Sequence, residues 1–492
     1  MGRKKRKRPQ HDNGPSGDHD VGPPQVLSGS SRGRPSSSDT WDTRPSLPTS
    51  NWFSGGVNWI SRRRIDAGDN SCDNAKMPSV PPATTSQNSI LLIELNKIKN
   101  DLMPAAQRAS SEKAADKEFR RSGLSQFVNR SAIKLANIDA LLGFTLTTAC
   151  CPRRGGGAAA SPLVFADLCG APGGFSEYIF YRLKHPVKVA IEEIDRDRLK
   201  HAVSETAPDV AGLHLELGRQ NRDARAFPRS SEEAASSCLG FGMSLSGSND
   251  DGKGVAWNME HLKEYHLDKS HGRCQYVFQT TSGDDGTGSI YTWKNTLSLL
   301  KLISTTLGEK APRDGLANLV VADGGFDAQR DSNCQESLAH KIVVCQTAAA
   351  LSLLRVGGTF VLKMFGFRET RTRRMLSYIY ECFEKMAFVK PVLSRPASAE
   401  RYLVCYGYEG TGAKFEGSKW RDQMLATMDG TLYRKHTPLE TLMDSFDQEM
   451  LMLNIDTCKS IIEYLEVKER GEVLHSRSNL DTRVYESAWK LR

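Results

Sequence analysis

Through residues 1–88 apolar positions are sparse, and the aromatics Trp41, Trp52, Phe53 and Trp59 stand alone among Ser, Pro, Gly, Asp and Arg. So few apolar groups do not offset the entropy of ordering a backbone, and this stretch reads as a disordered tail. From Ser89 the texture changes. Ile90-Leu91-Leu92-Ile93-Glu94-Leu95 opens a helical pattern, and Phe127 to Phe144 repeats it with apolar residues three and four apart. Leu163-Val164-Phe165-Ala166-Asp167-Leu168 is then a short apolar run that ends in a glycine-rich turn, followed by a helical segment from Phe175 to Leu183. That is strand, turn, helix.

The same order repeats downstream. Leu239 to Met243, Leu319 to Asp323 and Thr359 to Lys363 predict strands, Trp293 to Thr306 and Leu338 to Arg355 predict helices, and Tyr402 to Tyr406 predicts a last strand. Alternation at these lengths implies an α/β fold, a mostly parallel sheet with helices on both faces. Ligands in such sheets sit beyond the carboxyl ends of the strands. Two segments stand outside the pattern. Residues 185–238 are polar and read as a surface insertion, since so long a loop inside a compact domain is uncommon. Residues 411–492 have helical texture, strongest from Leu439 to Leu465, and read as a helical C-terminal extension to a domain spanning 89–410. No internal repeat is visible.

Composition narrows the class. With 39% hydrophobic and 25% charged residues among 492, the chain as a whole is not disordered. Its 11 cysteines are sparse and odd in number, and the one close pair, Cys150-Cys151, matches neither CxxC nor a zinc spacing. A disulfide scaffold is excluded, a reducing compartment is expected, and no metal site is. No 18-residue apolar run occurs, because the longest candidate, Ile342 to Leu354, is interrupted by Gln346 and Thr347. A soluble intracellular protein without membrane association is expected. The net charge of +8 is modest, but Arg3-Lys4-Lys5-Arg6-Lys7-Arg8 is a run of six cations. It suits nuclear import or loose nucleic-acid contact, with a solubilising tail as the alternative.

The turn Asp167-Leu168-Cys169-Gly170-Ala171-Pro172-Gly173-Gly174-Phe175 carries the first candidate chemistry. Glycines there let a ligand approach the backbone and expose amides at the positive end of a helix, which favours a carboxylate or phosphate. Asp167 opposes a phosphate-rich ligand and favours an amino or hydroxyl group. S-adenosylmethionine offers a carboxylate, an ammonium and ribose hydroxyls, and so satisfies both conditions better than a dinucleotide. The turn also lacks G-x-G-x-x-G and Gly-Lys-Ser/Thr. A plain tight turn is the competing reading. Four charged residues fall where strand ends or helices would face it: Lys134, Asp323, Lys363 and Glu400. Each alone could be a structural ion pair, but a lysine ending a buried strand is costly unless paired or used. Transfer of a methyl from a sulfonium to a ribose 2'-hydroxyl needs alignment and help with a weakly acidic proton. Lys363 beside Lys134 is a candidate acceptor with a lowered pKa, while Asp323 and Glu400 would orient the two lysines and oppose that shift.

The stretches Phe127 to Asp139, Phe165 to Tyr178, Gly240 to Leu245, Ala322 to Phe326 and Lys390 to Tyr402, in that order, closely resemble the FtsJ-type cap-specific mRNA (nucleoside-2'-O-)methyltransferase 1 family over about residues 90–408. The resemblance implies a Rossmann-like methyltransferase fold and S-adenosylmethionine as cofactor. The implied reaction is 2'-O-methylation of the first transcribed nucleotide of 5'-capped mRNA, cap-0 to cap-1. The family's catalytic K-D-K-E tetrad falls on Lys134, Asp323, Lys363 and Glu400, with Lys363 as proton acceptor. Its cofactor turn falls on Cys169, Gly170, Ala171, Pro172, Gly173, Gly174 and Phe175, after Asp167. A second cofactor loop falls on Gly286 to Ile290, where Ser289 replaces the usual acid before Ile290. Cap and RNA contacts map to Lys99, Asn100, Asp101, Leu102, Met103 and Lys113, to Asn333, Cys334 and Gln335, and to Ser398. The implied partner is 5'-capped mRNA, with the transcription or capping machinery as a further candidate, a monomeric catalytic unit and a nuclear location. The guanylyltransferase-like and WW regions of animal relatives are not recognisable, so docking on polymerase through a WW module is not expected.

One departure from the family pattern is Arg368, Arg371, Arg373 and Arg374 in one short segment. At these spacings several, with Arg371 and Arg374 foremost, could share a helix face and contact successive phosphates. A solvated face is the alternative. Two rival functions remain: an rRNA or tRNA 2'-O-methyltransferase of the wider FtsJ group, and a catalytically silent cap- or RNA-binding protein on the same fold.

Overall fold

The structure, a computed structural model, describes residues 60–61, 86–109, 127–142, 144–148, 163–185, 237–246, 255–263, 275–308, 315–325, 335–391, 394, 397–410, 426, 435–471 and 489–491. The elements in chain order are β1 (Ile60–Ser61), α1 (Ser86–Ala109), α2 (Arg130–Leu141), α3 (Thr145–Thr148), β2 (Leu163–Leu168), α4 (Gly174–Lys184), β3 (Ser237–Met243) and α5 (Met259–Lys263). There follow β4 (Gln275–Thr281), α6 (Trp293–Leu307), β5 (Ala317–Ala322), α7 (Gln335–Leu353), β6 (Leu354–Met364), α8 (Thr370–Cys382), β7 (Phe383–Val389), β8 (Arg401–Tyr408) and α9 (Thr437–Glu469).

Every residue of β2 and of β5 is buried, which is what an unbroken apolar run requires of a central strand covered on both faces. The strands form one sheet in the order β1-β7-β8-β6-β5-β2-β3-β4. β4, β3, β2, β5 and β6 are parallel neighbours, whereas β8 runs antiparallel to β6 and β7, and β1 antiparallel to β7. The chain moves outward from β2 to β4 and then returns to lay β5 on the other side of β2. This reversal opens a crevice above the carboxyl ends of β2 and β5, where ligands bind in open α/β sheets. One face of the sheet is covered by α2 and α4, through Ile133, Leu135, Phe175 and Ile179. The other is covered by α6, α7 and α8, through Leu299, Ile303, Ala349, Met375 and Ile379.

The α/β class and mostly parallel sheet agree with the sequence pattern, but β4 and β7 were not legible in it. β4 reads Gln-Tyr-Val-Phe-Gln-Thr-Thr because an edge strand has a neighbour on one side only. In β7, Glu384 and Lys385 stay at or near the surface while Met386 to Val389 are buried, so its first half breaks the apolar run. The disordered-tail reading is corrected at Ile60 and Ser61, which pair with Met386 and Lys385 of β7. The other tail residues before Ser86 lie outside the described residues, as does the insertion between His185 and Ser237. β3 claims the last two positions assigned to that insertion.

The C-terminal extension contributes α9, 33 residues long, which packs on the α8 side of the sheet through Leu439, Met443, Phe446 and Met450. Its next turns, Leu451, Ile455 and Cys458, meet Leu95 and Ile98 of α1 in a separate apolar cluster. Further along the chain, Trp489 and Leu491 are buried against α4, where the Arg182 guanidinium donates to the carbonyls of Trp489 (2.7 Å) and Lys490 (3.1 Å). Among the described residues no helix is long and apolar enough to cross a membrane.

Candidate active site

Strand register brings the charged residues together. Ala322, the last residue of β5, pairs with Leu362, which puts the following Asp323 beside Lys363 of β6. Lys363 in turn stands opposite Tyr402 of β8. The Asp323 carboxylate accepts from both neighbours, from Lys363 Nζ at 3.1 Å and the Tyr402 hydroxyl at 2.8 Å on Oδ1. Lys363 Nζ also donates to the Asp323 carbonyl at 2.6 Å. Gly325 makes room for that ammonium, since a Cβ there would lie 3.0 Å from Nζ.

Helix α2 completes the constellation from above. Asn129 caps it, its Oδ1 accepting from Ser131 N at 2.9 Å, and Ser131 and Lys134 follow on one helical face, three residues apart. Ser131 Oγ donates to Asp323 Oδ2 at 2.7 Å, and Lys134 Nζ reaches Glu400 Oε1 at 2.7 Å. Thus one turn of helix touches both acids, and Lys134, Asp323, Lys363 and Glu400 converge in space as two linked pairs.

The electrostatics decide the resting charge states. Burial alone would lower the Lys363 pKa, but the Asp323 and Glu400 carboxylates outweigh it and hold the amine above its ordinary value. The expectation of a lowered pKa is therefore corrected: the opposing influence of the two acids wins. Burial likewise would raise Glu400, yet Lys134, Lys363 and Lys390 together pull its carboxyl down to about 2. Tyr402 is driven well above its usual range by burial and by Asp323, so it remains a neutral donor.

Beneath this cleft lies the turn after β2. Cys169 takes a left-handed conformation (φ 58°), uncommon for a residue with a side chain, and Gly173 caps α4 at φ 112°, where a Cβ would be strained. Burial pushes the Cys169 thiol up to about 12, so it stays protonated. Gly173 at the N-cap has no side chain to cap α4, the Ser176 amide donates to the Asp167 carboxylate, and Gly174 and Phe175 are buried. The amides of Gly174 and Phe175 at this helix N-terminus fit the carboxylate end of S-adenosylmethionine. Asp167, expected to meet the cofactor, has its Oδ1 without a partner among the described residues. It is fully buried, a Cβ on Gly170 would collide with its carboxylate, and its Oδ2 accepts from Ser176 Oγ at 2.7 Å. It supports the turn from below, and burial raises its carboxyl to about 7.

The second loop, between β4 and α6, folds on itself: Asn295 Nδ2 donates to Asp285 Oδ1 (2.9 Å) and to the Ser289 carbonyl (3.0 Å). It closes on the end of β3 through Ser246 N to the Thr287 carbonyl at 2.9 Å. Ser289 Oγ accepts from Tyr291 N at 3.3 Å and Ile290 is buried, so both serve the loop's own shape.

The remaining assigned residues scatter. Lys99 is buried and Leu102 packs in the α1–α9 cluster, whereas Asn100 and Asp101 are exposed. Ser398 Oγ accepts from Glu400 N at 3.1 Å, tying the turn to the tetrad. Gln335 opens α7 with a buried Oε1 that has no partner among the described residues. Lys113, Asn333, Cys334 and the side chain of Met103 lie outside the described residues. The reading of four arginines as a phosphate-contacting face is corrected for two of them. Arg373 is 3% exposed and paired at 2.5 Å with both Glu440 and Asp444 of α9, and Arg368 Nε donates to Asp447 at 2.8 Å. Arg371 is exposed, donating to Glu369 (2.5 Å) and Ser337 Oγ (2.7 Å), and Arg374 is half-buried.

Several residues in the site had no assigned role. Ser131 and Tyr402 sat inside the matching stretches without one. Lys390, buried, donates to Ser394 Oγ (3.1 Å) and to the carbonyls of Ser398 (2.8 Å) and Glu400 (2.7 Å), while Ser394 Oγ donates to Glu400 Oε1 at 2.8 Å. Gln346 Oε1 accepts from Gly324 N at 2.9 Å and so holds the loop after Asp323. Its signal was present: it interrupts the apolar run of α7. Among the described residues no group of His, Cys, Asp and Glu could hold a metal ion.

Comparison with known proteins bears on this geometry. The pattern of FtsJ-like methyltransferases matches residues 127–214 and 262–408, a span holding all four charged residues and the turn. Over those residues the chain is similar to the FtsJ-like methyltransferase family. Its relatives include the cap-specific mRNA (nucleoside-2'-O-)-methyltransferase 1 of Drosophila melanogaster, 28% identical over 318 residues, 64% of this chain and 31% of that protein. The Homo sapiens protein of the same name is 28% identical over 290 residues, 57% of this chain and 26% of its own. This FtsJ-like chain thus spans about a third or less of the relatives it matches. A solved ribosomal RNA methyltransferase of Plasmodium falciparum is similar over 57% of this chain and 98% of its own, at 12% identity and a TM-score of 0.28.

Proposed function

We propose that this FtsJ-like methyltransferase transfers a methyl group from S-adenosylmethionine to the ribose 2'-hydroxyl of the first transcribed nucleotide of 5'-capped mRNA, converting cap-0 to cap-1. The observation that carries the reading is the convergence of Lys134, Asp323, Lys363 and Glu400 above the β2 turn. The names of the relatives support the capped substrate, and the basic run from Arg3 to Arg8 supports a nuclear location.

When bound, the cofactor supplies an electrophilic methyl on a positively charged sulfur, whose charge opposes the ammonium of Lys363. The chain's own residues supply alignment. The amides of Gly174 and Phe175 would hold the cofactor's carboxylate, and Asp323, fixed by Tyr402 and Ser131, sets the direction of Lys363 Nζ. Lys363 is the group that accepts the 2'-hydroxyl proton, and Lys134, held by Glu400, provides a second cation beside the developing alkoxide. Because the free protein holds Lys363 above its ordinary pKa, kcat/KM for the cofactor should climb with pH through 9 without a plateau.

The deciding experiment compares methyl transfer to capped and uncapped copies of one short RNA. Transfer confined to the capped copy is expected. Equal rates on both would reassign the chain to a ribosomal or transfer RNA substrate, and RNA binding without transfer would make it a silent binding protein.

A further inference from the structure

The residue between the catalytic Glu400 and Tyr402 is Arg401, which is completely buried. Along β8 successive side chains alternate between the two faces of the sheet: Tyr402 and Val404 pack with α2 and α4, Leu403 and Cys405 with α7 and α8. Arg401 therefore points away from the cleft. There it lies over the rings of Phe367 (4.6 Å) and Phe446 (5.7 Å), and Phe446 belongs to α9. It forms an ion pair with Asp447, the next residue of α9, at 3.1 Å, and the Glu336 carboxylate adds a further favourable charge. The other Arg401 terminal nitrogen, Nη2, has no partner among the described residues, and its Nε donates to the Ala399 carbonyl at 3.1 Å.

Asp447 itself is 1% exposed and shares its carboxylate between Arg401 and Arg368, whose charges hold its pKa down against burial. A second link joins the same helix to the same turn, Asn454 Nδ2 to the Ser398 carbonyl at 3.4 Å. An unpaired guanidinium at such depth is costly, so the start of β8 is stable in this register only while Asp447 is in place. Because side chains alternate along a strand, fixing Arg401 on one face fixes Glu400 and Tyr402 on the other.

We infer that Asp447, on a helix outside the region matching the methyltransferase family, is a positioning residue: by clamping Arg401 it sets the placement of Glu400 and Tyr402, and through them of Lys134 and Asp323. The kinetic part rests on the transfer reading of that cleft. α9 is then a working part of the catalytic unit, and the Arg401 side of β8 is a fulcrum.

The test uses the full chain and three variants, with melting temperature, kcat and KM on capped RNA, and hydrogen exchange across residues 398–405. Asp447→Asn should lower kcat by about 100-fold, the cost of a displacement near 1 Å, with KM for S-adenosylmethionine changed less than about 3-fold. Exchange at 398–405 should rise. Glu440→Gln, which breaks the ion pair to Arg373 on the same helix, should lower the melting temperature and leave kcat and that exchange as in the wild type. Should Asp447→Asn fail to fold, the double variant Asp447→Leu/Arg401→Met removes both charges, keeps the fold and should show the same loss. A wild-type kcat in a folded Asp447 variant, or an equal loss in Glu440→Gln, overturns the inference. A wild type that transfers nothing removes the transfer reading instead, and hydrogen exchange then decides the clamp by itself.

Discussion

Two clusters of opposite charges flank the start of β8, one on each face, and they differ in how far their partners are closed off. On the cleft side, Lys134 and Glu400 keep 15% of their side chains exposed, and Lys363 and Asp323 keep 10%. On the α9 side, Arg401 and Asp447 keep 0% and 1%. Both pair basic with acidic side chains at hydrogen-bonding distance. The cleft cluster retains access for a ligand and sits above the glycine turn that starts α4, whereas the far cluster is sealed under Phe367 and Phe446. Charge alone does not make a catalytic site: exposure to a ligand decides whether a pair performs chemistry or holds structure.

The largest test of that contrast is Lys363→Ala. It should abolish detectable transfer, a loss of at least about 10³-fold, while leaving RNA binding largely intact and the protein folded, as measured by single-turnover assay and thermal melting. A melting collapse comparable to that of a sealed pair would erase the distinction. A smaller effect concerns acid. Glu400 titrates in the folded protein at about 2 against an ordinary 4.5, so its stabilisation is complete above pH 4.5 and is lost as the pH falls toward 2. Wild type should lose on the order of 3 kcal/mol over that window more than Glu400→Gln does, measured by denaturant unfolding at stepped pH. The smallest effect belongs to the arginine segment. Neutralising Arg371 and Arg374 should reduce the slope of log affinity against log salt for RNA by about one per residue, as expected for phosphate contacts. Unchanged slopes would place both with Arg373 as structural residues.

The cleft was the more legible of the two regions. The turn after β2 and the tetrad were readable because each is marked locally, by glycines that close backbone approach requires and by polar residues ending buried strands. Gln346 left a local trace too, as a break in an apolar helix. Lys390 and Arg401 lay inside a matching stretch, but nothing local marked their burial: each is one cation among 66 basic residues, and its burial depends on what covers it. The reading of Arg368 and Arg373 went astray for the same reason. Their helical spacing was right, but the acids that claim them lie far along the chain, Asp447 at 79 positions from Arg368 and Glu440 at 67 from Arg373.

The sequence by itself determined the alternation of strands and helices and the polar residue types that end the strands, since these follow from local periodicity and from the backbone freedom of particular turns. Tertiary structure alone decided which cations face the cleft and which are sealed behind β8, because that depends on where α9 packs. It also decided the resting charge of Lys363, because burial and two carboxylates act on it in opposite directions and only their distances fix the balance.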